Sequence, residues 1–318
     1  MTALEDVLDR VEKTLVEVGD RFPLHAEGGT WRTTARGSWA AGCWVGLLWL
    51  RAKVIGTPRA LRDAETWSAR LECWADADTA TQGLILWYGA AAGSRLGLST
   101  APMGLALRGA RSLASRFDAR AGVVPWGTAF GDTPAVRARI DGVPGTLPLL
   151  VWAGNHGIAR SHTGHHLRLC SGAPGWSWDD GTWRPEATPP IGWSRGDAWL
   201  LLAAADAVTW LGDDFTEPAH AAANSWPAHV PFAVGSDGPL DTSAAAIAAV
   251  ALLKLERYDE AAAVLRRLVD DHLVDGGLRN GCYDSRTGVA VDHELVWGDF
   301  FLALALAIVG GHVGAHVL

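Results

Sequence analysis

The chain has little of what holds small secreted domains together or builds a nucleic-acid surface. Its 318 residues include four cysteines, two methionines and three tyrosines. Cys43, Cys73, Cys170 and Cys282 are far apart and form no CxxC pair. That argues against a disulfide framework or a cysteine zinc site, and fits reduced thiols in the cytoplasm. There is no block of Lys and Arg. Basic residues number 27 and acidic ones 35, for a formal charge of −8, so nucleic acid is not an expected partner. The apolar tail from Leu295 to Ile308 is interrupted by Asp299 and is too short to span a bilayer comfortably, so no membrane association is expected. The first residues form an amphipathic, acidic helix without the apolar centre of a signal peptide. GxSxG, HExxH and the glycine patterns of dinucleotide and phosphate loops are all missing.

Tryptophan is abundant instead, with 17 copies. Tryptophans either pack between helices or line a groove where flat rings stack. Leu4, Val7, Leu8, Val11 and Leu15 recur at helical spacing with charges between them. Similar segments, punctuated by Gly, Pro and capping residues, continue to Val309. They predict about twelve helices, with no strand run that alternates convincingly. Twelve helices as six hairpins suggest an all-α (α/α)6 barrel, with residues 1–318 as one catalytic domain. A superhelical repeat array is the competing architecture, and no fixed-period self-similarity supports it. Polar or aromatic helix starts recur about once per hairpin: Trp39 to Trp44, Asp78 to Gly83, Asp141, Arg195 to Trp199, Asp241 to Ser243, and Trp297 to Asp299. If alternate helices form an inner ring, these starts converge at one mouth, where free N–H groups favour an anionic or hydroxyl-rich ligand.

Asp141 precedes a continuous apolar helix. A carboxyl at such a rim is partly desolvated, which raises its pKa and suits it to general acid work; it also reads as a helix cap. Arg195 and Trp199 are four residues apart and share a helix face. Trp193 and Trp199 are candidate walls for a sugar ring, and Arg195 a bidentate partner for a carboxylate. Asp197 either points elsewhere or braces Arg195. His162, His165 and His166 have metal-compatible spacing but no acidic or cysteine ligand to complete it, so no metal is expected.

The segments GSWAAGCWVGLLWL (37–50), TQGLILWYGA (81–90), RIDGVPGTLPLLVWA (139–153), GWSRGDAW (192–199), DTSAAAIAAVALLKL (241–255) and GVAVDHELVWGDFFLALAL (288–306) span almost the whole chain. Together they resemble the unsaturated glucuronyl hydrolases, glycoside hydrolase family 88. They are also similar to the unsaturated rhamnogalacturonyl hydrolases of family 105. The resemblance implies an (α/α)6 barrel that removes a 4,5-unsaturated uronic acid from the non-reducing end of small oligosaccharides, with no metal or organic cofactor. In that chemistry an aspartic acid protonates C4, water adds at C5, and the hemiketal opens. The family's acid falls on Asp141, its aromatic wall on Trp44 and Trp199, and its arginine on Arg195.

Three departures stand out. A His-Asp pair common in the family is Ala80 and Thr81 here. The glutamine of the arginine motif is Asp197. The stretch that should carry a substrate-side histidine reads SGAPGWSWDDGTW, with Trp176 or Trp178 in its place. The expected site is therefore Asp141 with Asp197 as catalytic carboxylates, and Trp39, Trp44, Thr81, Trp178, Trp193, Arg195 and Trp199 around the substrate. Asp76 and Asp78 are further candidates for the space at Thr81. Two alternatives stand beside the uronyl hydrolase: another carbohydrate-active enzyme using Asp141 and Asp197 as its pair, and a sugar-binding protein that has lost catalysis.

Overall fold

The structure is a computed structural model, and it describes residues 2–226 and 238–318. Among these, twelve helices appear in the expected order. They are α1 (Ala3–Val18), α2 (Ala41–Ile55), α3 (Pro58–Ala69), α4 (82–95, with a π-turn at Trp87–Ala91), α5 (Met103–Ser115) and α6 (Thr146–Trp152). The others are α7 (His156–Cys170), α8 (Ser194–Leu211), α9 (Thr216–Ser225), α10 (Thr242–Lys254), α11 (Tyr258–Arg267) and α12 (Val296–Val309). Helix α9 stops short of Pro227, which lies outside the described residues. The starts follow ordinary capping chemistry. Thr2 and Glu5 form a capping box on α1, and Thr57 caps α3 ahead of Pro58.

The even-numbered helices make the inner ring. Helix α2 packs on α4 and α12, α6 on α4 and α8, and α10 on α8 and α12, so the ring closes on itself. Inner helices are apolar on every side, as a doubly covered helix must be. Every residue of α10 is buried, as are residues Ala41 to Ala52 of α2. The odd-numbered helices are amphipathic and lie outside, as α1 does on α2 and α12 and α7 does on α6 and α8. Tyr88, Phe300 and Phe301 fill the barrel interior. Phe301 lies 5.4 Å from Trp199 and 5.6 Å from Tyr88 between ring centroids. One close approach sets the geometry of the mouth. A Cβ on Gly83 would lie 2.1 Å from Thr146 Oγ1, so only glycine lets the start of α4 touch the start of α6.

Strands, not expected from the sequence, occur in the connections. β1 (Phe22–Glu27) and β2 (Thr30–Thr34) join β8 (Gly281–Asp284) and β9 (Val289–Leu295) in one sheet, in the order β2-β1-β9-β8. β3 (Arg137–Arg139), β4 (Gly175–Asp179) and β5 (Thr182–Pro185) form a second. β6 (Leu273–Val274) pairs with β7 (Gly277–Leu278). These segments are two to seven residues long, too short for alternation to show against the surrounding loops. The β8–β9 turn and the end of β3 supply side chains to the mouth.

Candidate active site

The starts of the inner helices and the loops above them enclose a cavity of about 370 Å³. Its wall includes Trp39, Thr81, Trp126, Arg139, Asp141, Trp193, Arg195, Trp199, Tyr283 and Arg286. Six of the nine expected site positions therefore meet here: Trp39, Thr81, Asp141, Trp193, Arg195 and Trp199. Trp39 donates from its ring nitrogen to Tyr283 Oη at 3.1 Å and lies 4.7 Å from Trp297 between ring centroids. These flat apolar faces with polar edges suit the two faces of a sugar ring.

Asp141 sits in a short 3-10 turn, Ile140–Gly142, between β3 and α6. Its side chain is 19% exposed. Burial pushes its carboxyl above the usual range, with the Arg139 guanidinium pulling the other way. Asp141 Oδ1 and Arg139 Nε are 3.8 Å apart, and both are buried without a hydrogen-bond partner. The turn is held from below by His162. Its Nδ1 accepts from Val124 N at 3.1 Å, and its Nε2 faces Gly142 O at 3.4 Å. Burial, with His166 beside it, keeps His162 neutral well below the ordinary histidine range. His166 Nδ1 bonds to the His162 carbonyl oxygen at 2.7 Å. The histidine spacing thus serves packing beneath the acid.

Arg195 reaches the wall, but its fork is already engaged. It donates to the Asp241 carboxylate, to Cys282 O at 2.7 Å and to Tyr283 O at 2.8 Å. The side chain expected to grip a ligand carboxylate thus gives one bond to Asp241 and two to backbone carbonyls. Asp241 in turn accepts from Ser243 Oγ at 2.5 Å. The sequence shows Asp241 only as the first residue of a polar helix start, Asp241 to Ser243, because such a start and a buried arginine partner leave the same trace.

Several expected residues lie elsewhere. Trp44 is buried against Trp67, ring centroids 5.7 Å apart, and does not line the cavity. An inner helix buried all round offers no periodic face by which to tell Trp44 from Trp39. Trp178, on β4, packs on Trp183 at 5.1 Å, away from the cavity. Asp197 is half-buried in the first turn of α8 but is not on the cavity wall; burial alone pushes it up to about 6. It neither braces Arg195 nor approaches Thr81. Asp76 pairs with Arg108 at 3.3 Å, and Asp78 accepts from Thr128 Oγ1 at 2.7 Å. None of the three fills the space at Thr81. That space is closed by a hydroxyl pair, Thr81 Oγ1 to Thr79 Oγ1 at 2.9 Å. Ala80 also fits tightly, since a Cβ on Gly142 would already lie 2.9 Å from its methyl.

The sequence reading missed Trp126, Arg139, Tyr283, Asp284 and Arg286, which line the cavity from loops and strand ends. The other wall carboxylates are Asp132 and Asp284. Asp132 accepts from Trp126 Nε1 at 2.9 Å and from Arg137 at 3.2 Å. Asp284 is held by Arg286 through both oxygens, each at 3.0 Å. Burial acts upward on Asp284, but the bonds from Arg286 outweigh it and leave this carboxyl below its ordinary range. Among the described wall residues, Asp141 is the carboxyl with a buried oxygen that no hydrogen bond satisfies.

A closed ring of inner helices around an aromatic cavity with a half-sheltered acid defines a carbohydrate-active barrel enzyme. No family model matches the chain. At 27% identity, 96% of it aligns with 95% of the unsaturated glucuronyl hydrolase of Bacillus sp. (strain GL1). The crystal structure of unsaturated glucuronyl hydrolase from Bacillus sp. GL1 superimposes with a TM-score of 0.87 at 25% identity, covering 96% of both chains. A UGL variant with dGlcA-Glc-Rha-Glc superimposes with a TM-score of 0.88, again at 25% identity and 96% of both chains. An unsaturated glucuronyl hydrolase of Streptococcus agalactiae shares the fold, with a TM-score of 0.82 at 18% identity over 96% of this chain and 90% of that one. Over almost its whole length the chain is thus similar in sequence and in fold to unsaturated glucuronyl hydrolases.

Proposed function

We propose that the chain hydrolyses the link between a 4,5-unsaturated uronic acid and the rest of an oligosaccharide, with Asp141 as its single acid. One observation carries the assignment of Asp141. It is a carboxyl whose pKa burial raises, facing an aromatic cavity, with an oxygen that no protein group satisfies. The related chain with dGlcA-Glc-Rha-Glc supports the substrate class.

The chemistry needs one proton and one water. The π pair of C4=C5 takes the proton of Asp141 at C4, and positive charge develops at C5, shared with the ring oxygen. Water adds at C5 and returns a proton to the Asp141 carboxylate. The resulting hemiketal opens at its C5–ring oxygen bond, which leaves a ketone at C5 and a hemiacetal at C1. The hemiacetal collapses to an aldehyde and releases the remaining sugar as an alcohol. An ordinary glycosidase places two carboxyls across the scissile bond. Asp197 is not on the cavity wall, and Asp132 and Asp284 are tied by hydrogen bonds, so this arrangement fits hydration better.

A cytoplasmic location is part of the proposal, supported by four free thiols, the state a reducing compartment maintains. The test is spectrophotometric. Adding an unsaturated uronyl disaccharide is expected to produce steady loss of the conjugated uronate's ultraviolet absorbance. No loss across a panel of such disaccharides, or release of sugar from a saturated glycoside instead, sinks the proposal.

A further inference from the structure

Three arginines line the cavity: Arg139, Arg195 and Arg286. Two are spent. Arg195 gives three N–H bonds to Asp241 and two backbone carbonyls. Arg286 is clamped on both oxygens of Asp284, with a further contact to Thr188 Oγ1 at 3.3 Å. Arg139 differs. Its guanidinium lies over the Trp126 ring, 4.5 Å from the centroid, which holds the group by cation–π attraction without using an N–H. Among the described residues nothing accepts a hydrogen bond from it, and its Nε is buried. Its nearest charge is Asp141, 3.8 Å away.

We propose that Arg139 receives the carboxylate of the substrate and, by doing so, couples substrate binding to the protonation of Asp141. This rests on the hydrolase reading above. The uronate carboxylate is attached to C5, and Asp141 must reach C4, the next atom. The cation that grips the carboxylate must therefore stand beside the acid, and Arg139 does. A planar fork suits a carboxylate, and the fork's buried, unpaired N–H is a cost that such a ligand removes.

The coupling follows from charge. In the empty cavity Arg139 favours the ionised form of Asp141 against burial. The other groups around Asp141 are Arg195 from α8, Asp132 from the loop before β3, and Cys170 and the neutral His162 from α7. A bound carboxylate offsets the Arg139 charge, so the upward push of burial is less opposed and Asp141 is protonated more readily when substrate is present. Arg139 is then a binding residue toward the substrate and a positioning residue for the proton.

The test compares an unsaturated uronyl disaccharide with its uronate methyl ester, using the native chain, Arg139→Met and Arg139→Lys. In Arg139→Met, kcat/KM for the acid is expected to fall about 10- to 100-fold, the range of one or two charge-assisted hydrogen bonds, mainly through KM. The ester should change little, and Arg139→Lys should recover part of the loss. The alkaline limb of kcat/KM for the ester, which reports the free enzyme's acid, should move to higher pH in Arg139→Met. Equal losses on acid and ester, or an unmoved limb, would overturn the proposal. Calorimetric binding of the same two ligands separates the two claims. If the native chain turns over neither ligand but binds the acid only while Arg139 is present, the hydrolase reading fails and the Arg139 assignment stands. Absence of any such binding overturns both.

Discussion

Arg195 with Asp241 forms one ion pair at the mouth, and Arg139 with Asp141 forms another. In the first, both side chains are almost fully buried, at 3% and 0% exposure, and the arginine's bonds go to protein acceptors. In the second, both side chains are 19% exposed, the charges stand 3.8 Å apart, and each has a buried atom without a hydrogen bond. The same two residue types thus do opposite work. A closed pair fixes α8 to α10 and the β8–β9 hairpin. An open pair keeps uncompensated donors and acceptors where a ligand can satisfy them, at some cost to the empty protein.

Breaking each pair in turn tests that contrast. Asp141→Asn should lower turnover about 10²- to 10⁴-fold, the usual worth of a positioned general acid, and leave the melting temperature close to native. Assays on the disaccharide with parallel thermal melts decide it; retained turnover would remove Asp141 from the chemistry. Asp241→Ala should act in the reverse sense. Leaving Arg195 buried and unpaired costs about 3–5 kcal/mol, and the melts should show a drop of roughly 5–10 °C. If the fold proved indifferent, the closed pair would not be a brace.

Smaller changes sharpen the picture. Thr81→Val removes one side of a neutral hydroxyl pair, worth about 0.5–1.5 kcal/mol, so turnover should fall less than about tenfold. A loss as large as that of Asp141→Asn would mean that the threonine position carries catalytic weight. Asp197 gives the smallest effect. Burial raises it to about 6, above the ordinary 3.8, so its contribution is full below pH 4 and is lost as pH climbs through 6. Asp197→Asn should abolish that loss, melting about one or two degrees higher at pH 7.5 and showing a flatter stability profile between pH 4 and 7.

How legible these features are depends on how local their physics is. The twelve helices announce themselves through periodicity, caps and glycine stops, all written within a few residues. So does Asp141, because a carboxyl ahead of an unbroken apolar helix is a local pattern. Arg139 and Trp126 are not legible this way. They meet through a three-residue strand paired at Arg139 with Gly175 and a loop end, and nothing in either segment announces the other. Asp241 shows why chemistry alone misleads, since its role depends on a partner 46 residues away. Trp44 and Trp178 show the converse: tryptophan abundance cannot separate a cavity wall from helix packing.

Among the described residues the inner ring closes on itself, and beneath Trp199 the interior is filled by Phe301, Tyr88 and Phe300. The recess is a dead end. Only the tip of a chain fits, and whatever is cut off must leave by the door through which the substrate came. For the proposed reaction, trimming is therefore expected to proceed one terminal unit per visit, with a sugar that has both neighbours attached refused by shape before any charge is consulted.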